Sequence, residues 1–159
     1  MNKTTLMRLG ISILLCLLAG VIGSIFTTPA ISSWYAYLLK PDFSPPNWIF
    51  APVWTTLFVL MGISFFLIWQ KKDKDVHAEI GLMFFIGQLM LNVFWSLLFF
   101  GLKNPFFALL EIIVLWLAIL ITIIQFYKIN RAAGILLIPY ILWVSFAAVL
   151  NYFIWILNY

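Results

Sequence analysis

Five apolar stretches, separated by short polar clusters, divide this chain. The first runs from Leu9 to about residue 28, its apolar core ending at Phe26 ahead of Thr27, Thr28 and Pro29. The second runs from Ile49 to Trp69 and stops at Gln70 and the cluster Lys71-Lys72-Asp73-Lys74-Asp75. The third covers Ile80 to Leu102, after which Lys103 and Asn104 make a tight turn. Pro105 opens the fourth, which reaches Tyr127; a proline at the first helical position lacks only an N–H that would go unpaired anyway. Lys128 to Arg131 form another short turn, and the fifth stretch covers Ala132 to about Leu157. A spanning helix needs roughly 20 apolar residues, so each stretch is long enough to cross a bilayer.

Backbone N–H and C=O groups find no water in the hydrocarbon core, so each span must satisfy them internally as a helix. The alternation of period two that a barrel requires is absent. The predicted fold is therefore all-α: a polytopic membrane protein, a bundle of five transmembrane helices forming one integral membrane domain over residues 1–159. Lys3 and Arg8 ahead of the first stretch also suit a signal peptide, but the apolar core of such a segment is only about 7–15 residues long. A retained span is the better reading.

The first connection, residues 29–48, is out of proportion to the others. Loops of that length are binding loops, lids or disordered segments. It holds Trp34, Tyr35, Tyr37, Phe43 and Trp48 together with Pro41, Pro45 and Pro46. Aromatic content argues against disorder, and prolines stiffen the backbone. A rigid lid over one end of the bundle is expected.

Composition supports the membrane assignment. Of 159 residues, 65% are hydrophobic and 9% charged, against about 25% charged in water-soluble domains. The net charge of +4 resides at span ends, where basic residues set orientation, so nucleic-acid binding is rejected. Lys3, Arg8, Lys71, Lys72, Lys74, Lys128 and Arg131 fall on one side and only Lys40 and Lys103 on the other. That asymmetry predicts a cytoplasmic N-terminus and an external lid. Cys16, the single cysteine, has no partner within the chain and is read as packing.

Conventional catalytic chemistry has no materials here. The chain has one histidine, His77, beside the charged second loop, and no Cys/His cluster or glycine-rich phosphate loop. No metal site and no resident cofactor are expected. Asp42, Asp73, Asp75 and Glu79 lie in or near loops and are read as hydrated. Glu111 differs, because it falls about two turns into the fourth span; a carboxylate at the centre of a bilayer costs on the order of 3 kcal/mol. Such a residue is either functional or lies shallow, reaches the interface, or is neutralised by a polar neighbour.

Three helix faces combine aromatic and amide groups at helical spacing. They are Gln88, Asn92, Trp95, Ser96 and Phe99 in the third span; Tyr140, Trp143, Ala147 and Asn151 in the fifth; and Trp54, Phe58, Met61, Gly62 and Phe65 in the second. Amides are costly in lipid, so these faces should point inward. Helix-to-helix adhesion explains any one of them; three beneath an aromatic lid suggest an apolar pocket with a few hydrogen-bonding groups. Trp69 and Trp155 fit the interfacial aromatic belt, whereas Trp54 and Trp143 lie deeper. Small residues such as Gly20, Ser24, Gly81 and Gly87 permit close helix packing.

The segment Trp34-Tyr35, Leu39-Lys40-Pro41, Phe43, Pro45-Pro46, Trp48, Phe50, Pro52 and Trp54-Thr55 resembles the tryptophan-rich sensory protein family (TspO/MBR). This is the translocator protein family, once called the peripheral benzodiazepine receptor. Gln88, Leu91-Asn92, Trp95-Ser96 and Phe99-Phe100 continue the likeness, as do Leu136 to Tyr140, Trp143, Phe146-Ala147, Leu150-Asn151 and Trp155. The resemblance implies a five-helix bundle, commonly a homodimer, with a pocket closed by the first loop. It implies porphyrins, notably protoporphyrin IX, as ligands, together with synthetic isoquinoline carboxamides and benzodiazepines. Carried over by position, the pocket residues are Tyr35, Pro45, Trp54, Phe58, Asn92, Trp95, Trp143 and Ala147; the inward faces add Gln88. Animal members also bind cholesterol, but the basic residue that pattern needs after the tyrosine is missing here, since Tyr152 is followed by Phe153, Ile154, Trp155 and Ile156.

Three functions follow as expectations. The first is a plasma-membrane receptor for porphyrins or similar flat aromatic molecules. The second is light- and oxygen-dependent porphyrin degradation, in which Trp54 and Trp143 would be the catalytic residues. The third is small-molecule transport, which fits less well because no internal repeat is evident.

Overall fold

The computed structural model describes residues 2–72 and 75–159. Asp73 and Lys74, read above as a hydrated carboxylate and an orienting cation, lie outside the described residues. The chain is all-helical, with no strand among the described residues, and five of its helical segments are long and apolar enough to cross a membrane. It is a multi-pass membrane protein.

Helix α1 spans Lys3–Ile31, α2 Asn47–Trp69 and α3 Val76–Ser96. The third span continues through a π turn, Leu97–Gly101. Helix α4 spans Pro105–Ile129, and the fifth span is two helices, α5 (Arg131–Leu136) and α6 (Ile138–Asn158). Polar side chains lengthen several helices beyond their apolar cores. Asn2 accepts from the Thr5 amide at 2.9 Å and Asp75 from the His77 amide at 2.9 Å, so α1 and α3 begin earlier than hydropathy alone indicates. Such caps satisfy amides that the first turn leaves unpaired. Asn104 caps α4 through the Phe107 amide, and Asn130 caps α5 through the Ala132 amide.

Pro29 was expected to end the first span, yet α1 runs two residues past it. A proline in the last turn removes one hydrogen bond without blocking the turns that precede it. The Ser33 hydroxyl then caps the Pro29 carbonyl at 2.6 Å. The lid accordingly begins at Ser32. It contains a short 3₁₀ turn, Trp34–Tyr37, before the extended run into α2. In the fifth span, Pro139 cannot donate to the preceding turn, and Leu137 marks the break between α5 and α6.

Helices α3 and α4 pack antiparallel along their length. At Gly81 an added Cβ would sit 3.2 Å from the Phe126 ring, and Phe85 stacks on Phe126 with centroids 5.6 Å apart. The end opposite the lid is tied by polar contacts: the Ser64 hydroxyl donates to the Ala133 carbonyl at 2.8 Å, and the Lys71 ammonium donates to the Ile129 carbonyl at 2.7 Å. Helices α1 and α2 meet backbone to backbone at Gly62, where a Cβ would lie 2.6 Å from the Ile13 Cα. Toward the lid end they enclose a cavity.

Candidate functional site

The cavity occupies about 550 Å³ between α1, α2, the end of α3 with its π turn, α6, and the lid. Its size falls in the range of ligand pockets, roughly 300–1,000 Å³. Helix α2 contributes the rung Phe50, Trp54 and Phe58 at helical spacing, with Trp54 stacked on Phe58 at 5.6 Å and 29°. The third span contributes Asn92, Trp95, Ser96, Phe99 and Phe100.

The π turn at Leu97–Gly101 holds one residue more per turn, and both Phe99 and Phe100 line the cavity. Their rings meet at 4.8 Å, and Phe99 stacks on Trp95 at 5.0 Å and 22°. Such turns are frequent at functional sites.

Few polar groups reach this aromatic wall, and most have partners. The Asn92 amide nitrogen donates to the Tyr140 hydroxyl at 3.1 Å beneath the floor. The Trp95 indole N–H donates to the Asn151 Oδ1 at 3.1 Å, and the Asn151 amide nitrogen donates to the Pro105 carbonyl at 2.8 Å. These bonds cross from α3 to α6 and from α6 to α4, so the wall is braced from behind.

The lid is pinned near its middle by the last turn of α6. Asn158 at the end of α6 donates to the Leu39 carbonyl and accepts from the Leu39 amide, both at 2.9 Å. Tyr35 is buried and lines the cavity, packing on Phe100 at 5.7 Å. Burial holds its phenol pKa above the ordinary value because ionisation would place an anion among aromatic rings. The Lys40 ammonium sits 4.6 Å from the Tyr35 ring centroid.

Six of the nine expected site residues line the cavity: Tyr35, Trp54, Phe58, Asn92, Trp95 and Ala147. Pro45, Gln88 and Trp143 do not. Pro45 belongs to the outer run of the lid. Trp143 packs edge-on against Phe50 at 5.9 Å, so Phe50 stands in the wall in its place. Gln88 is one turn of α3 below Asn92, deeper than the floor, and buried; neither amide atom has a hydrogen-bond partner among the described residues. Glu111 is also buried and does not line this cavity, and both its oxygens lack partners among the described residues. Sequence reasoning missed the contribution of α1. Gly20, Gly23, Ser24, Thr27 and Thr28 form one wall, and their recurrence on one face was the available signal.

Among the described residues no group of histidine, cysteine, aspartate or glutamate is placed to hold a metal.

A family model described as the TspO/MBR family matches residues 12–156. Tryptophan-rich protein TspO of Chlorobaculum tepidum is 42% identical, over 99% of both chains. The translocator protein of Homo sapiens is 36% identical over 84% of this chain and 80% of its own. The tryptophan-rich sensory protein of Cereibacter sphaeroides is 34% identical over 82% of each. With the model match covering nearly every span, and relatives this similar along almost their full length, the chain belongs to the TspO/MBR family.

Proposed function

We propose that this protein is a plasma-membrane receptor that binds porphyrins, protoporphyrin IX among them, and similar flat aromatic molecules in the cavity beneath its lid. The observation that carries the reading is the cavity wall itself: a 550 Å³ space faced by Trp54, Phe58, Trp95, Phe99 and Phe100, with amide polarity limited to its floor and edge. Aromatic faces offer a planar macrocycle offset or edge contacts worth about 0.5–1.5 kcal/mol each beyond burial. The Lys40 ammonium, held over a ring that lines the cavity, supplies positive charge for a ligand carboxylate. The lysine and arginine asymmetry supports a cytoplasmic N-terminus, which puts the lid outside. A second copy of the chain is the expected membrane partner.

Relatives bear the names translocator protein and tryptophan-rich sensory protein, and both names suit a protein that holds a small molecule. Quenching of tryptophan fluorescence by protoporphyrin IX tests the reading. Trp54→Ala should weaken binding about tenfold, the equivalent of 1.4 kcal/mol, whereas Trp143→Ala, behind Phe50, should have a smaller effect. Wild-type affinity in both Trp54→Ala and Trp95→Ala would remove this cavity as the site.

A further inference from the structure

The cavity is not sealed on the side facing lipid. Several residues that line it are also exposed on the outside of the bundle: Val21, Ser24 and Thr28 on α1, and Asn47, Ala51 and Thr55 on α2. A side chain that both borders an internal space and is exposed stands at an opening. These six form two facing ridges at helical spacing, one on each of two neighbouring helices. The opening is thus a slot running along the lid-end half of the α1–α2 seam.

The seam explains the slot. At the opposite half of the membrane the helices meet at Gly62, with no room for a methyl group beside Ile13. Toward the lid they diverge, and Gly20 marks the transition. There a Cβ would lie 2.5 Å from the Phe58 ring, so the ring lies against bare backbone and floors the slot.

The slot walls suit passage from lipid. Ser24 donates to the Val21 carbonyl at 2.7 Å, Thr27 to the Gly23 carbonyl at 3.1 Å and Thr55 to the Ala51 carbonyl at 2.8 Å. Each hydroxyl is satisfied on its own helix, so an apolar body sliding past leaves no donor unpaired. Thr28 and Asn47, at the lid-end rim, make no side-chain hydrogen bond among the described residues and remain available to a polar end group at headgroup level. By contrast, the route over the top is covered by the lid, which Asn158 holds at Leu39.

We propose that the pocket is loaded sideways from the bilayer through the α1–α2 slot, and that its ligands are membrane-partitioned amphiphiles with a flat apolar body and a polar end lying toward Thr28 and Asn47. The inference rests on the porphyrin-binding reading, and its test separates the two.

The probe is protoporphyrin IX, added to the full chain in phosphatidylcholine vesicles and followed by stopped-flow fluorescence. Ser24→Trp and Ala51→Trp, which narrow the slot from opposite helices, should each slow association and dissociation together by at least tenfold. A lid pinned by Leu39→Cys with Asn158→Cys, bridged by a short bis-thiol reagent in a Cys16→Ala background, should load at the rate of its unbridged form. Unchanged rates in both tryptophan variants, with slow loading in the pinned protein, would overturn the inference in favour of access past the lid. A second measurement uses the unmodified protein. A porphyrin joined to a phospholipid acyl chain and built into the vesicle cannot approach from water, and it should still quench the protein. If free protoporphyrin IX quenches and the tethered form does not, the slot is not the route, whether because it is too narrow or because a second copy seals it. If free protoporphyrin IX produces no saturable quenching, the binding reading itself fails and the slot proposal falls with it.

Discussion

Glu111 and Gln88 are the residues whose placement is hardest to reconcile with stability. Both are buried at membrane depth, and the functional atoms of both lack hydrogen-bond partners among the described residues. A buried polar group left unpaired costs about 1–3 kcal/mol. Glu111→Leu should therefore stabilise the bundle by about 1–3 kcal/mol, read as a higher midpoint in detergent unfolding; a loss of stability would mean that the carboxyl has a partner the geometry does not reveal. Two glycines make opposite predictions. Gly62→Ala forces a methyl against the Ile13 backbone, and overpacking of that kind costs about 1–3 kcal/mol. The melting temperature should drop. Gly20→Ala meets only the edge of the Phe58 ring, which can swing toward the cavity. Its melting temperature should stay near wild type while protoporphyrin IX affinity falls, and titration beside calorimetry would separate the two effects.

Among the elements, the lid shows how two hydrogen bonds from one side chain hold a loop of this length. Asn158→Ala removes both bonds to Leu39, at about 0.5–1.5 kcal/mol each. Amide exchange across the Trp34–Tyr37 turn should rise by roughly tenfold, since 1.4 kcal/mol corresponds to that factor. Exchange at the wild-type rate would assign the anchoring to Tyr35 and its aromatic neighbours instead. Spans were legible in the sequence because a run of some twenty apolar residues permits little else. Their ends were not. Asn2 and Asp75 are polar and read as outside the helix, yet as caps they are the reason α1 and α3 begin where they do. The π turn left no trace in hydropathy, because Leu97 to Phe100 are apolar in either geometry.

For the whole molecule, a ligand that binds only the folded bundle must raise its stability: at a concentration 100 times the dissociation constant the gain is about 2.7 kcal/mol. Protoporphyrin IX should shift the unfolding midpoint of the wild-type protein in proportion, and a shift equal to that of Trp54→Ala would place binding elsewhere. The candidate wall was partly readable beforehand. Trp54, Phe58, Asn92 and Trp95 follow helical spacing and carry side chains whose burial needs a reason. Gln88 and Trp143 share those faces but lie off the wall, because spacing gives direction around a helix axis and not which neighbour intervenes; here Phe50 stands before Trp143. Of the α1 wall, Gly20 and Ser24 were read as packing and Thr27 and Thr28 as the end of the span, since small side chains signal close approach to a partner helix and to a cavity alike.

The π turn at Leu97–Gly101 has one consequence for how this architecture can change. Because it accommodates a surplus residue, deleting one position there would let the ladder relax to ordinary α spacing without opening a gap. The trunk of the third span would keep its register, and so would the Leu102–Asn104 turn into α4, because only the surplus residue and not the flanking ladder is lost. Descendants of such a sequence could thus thin the cavity wall by one ring, Phe99 or Phe100, through a change of chain length alone, with the rest of the bundle undisturbed.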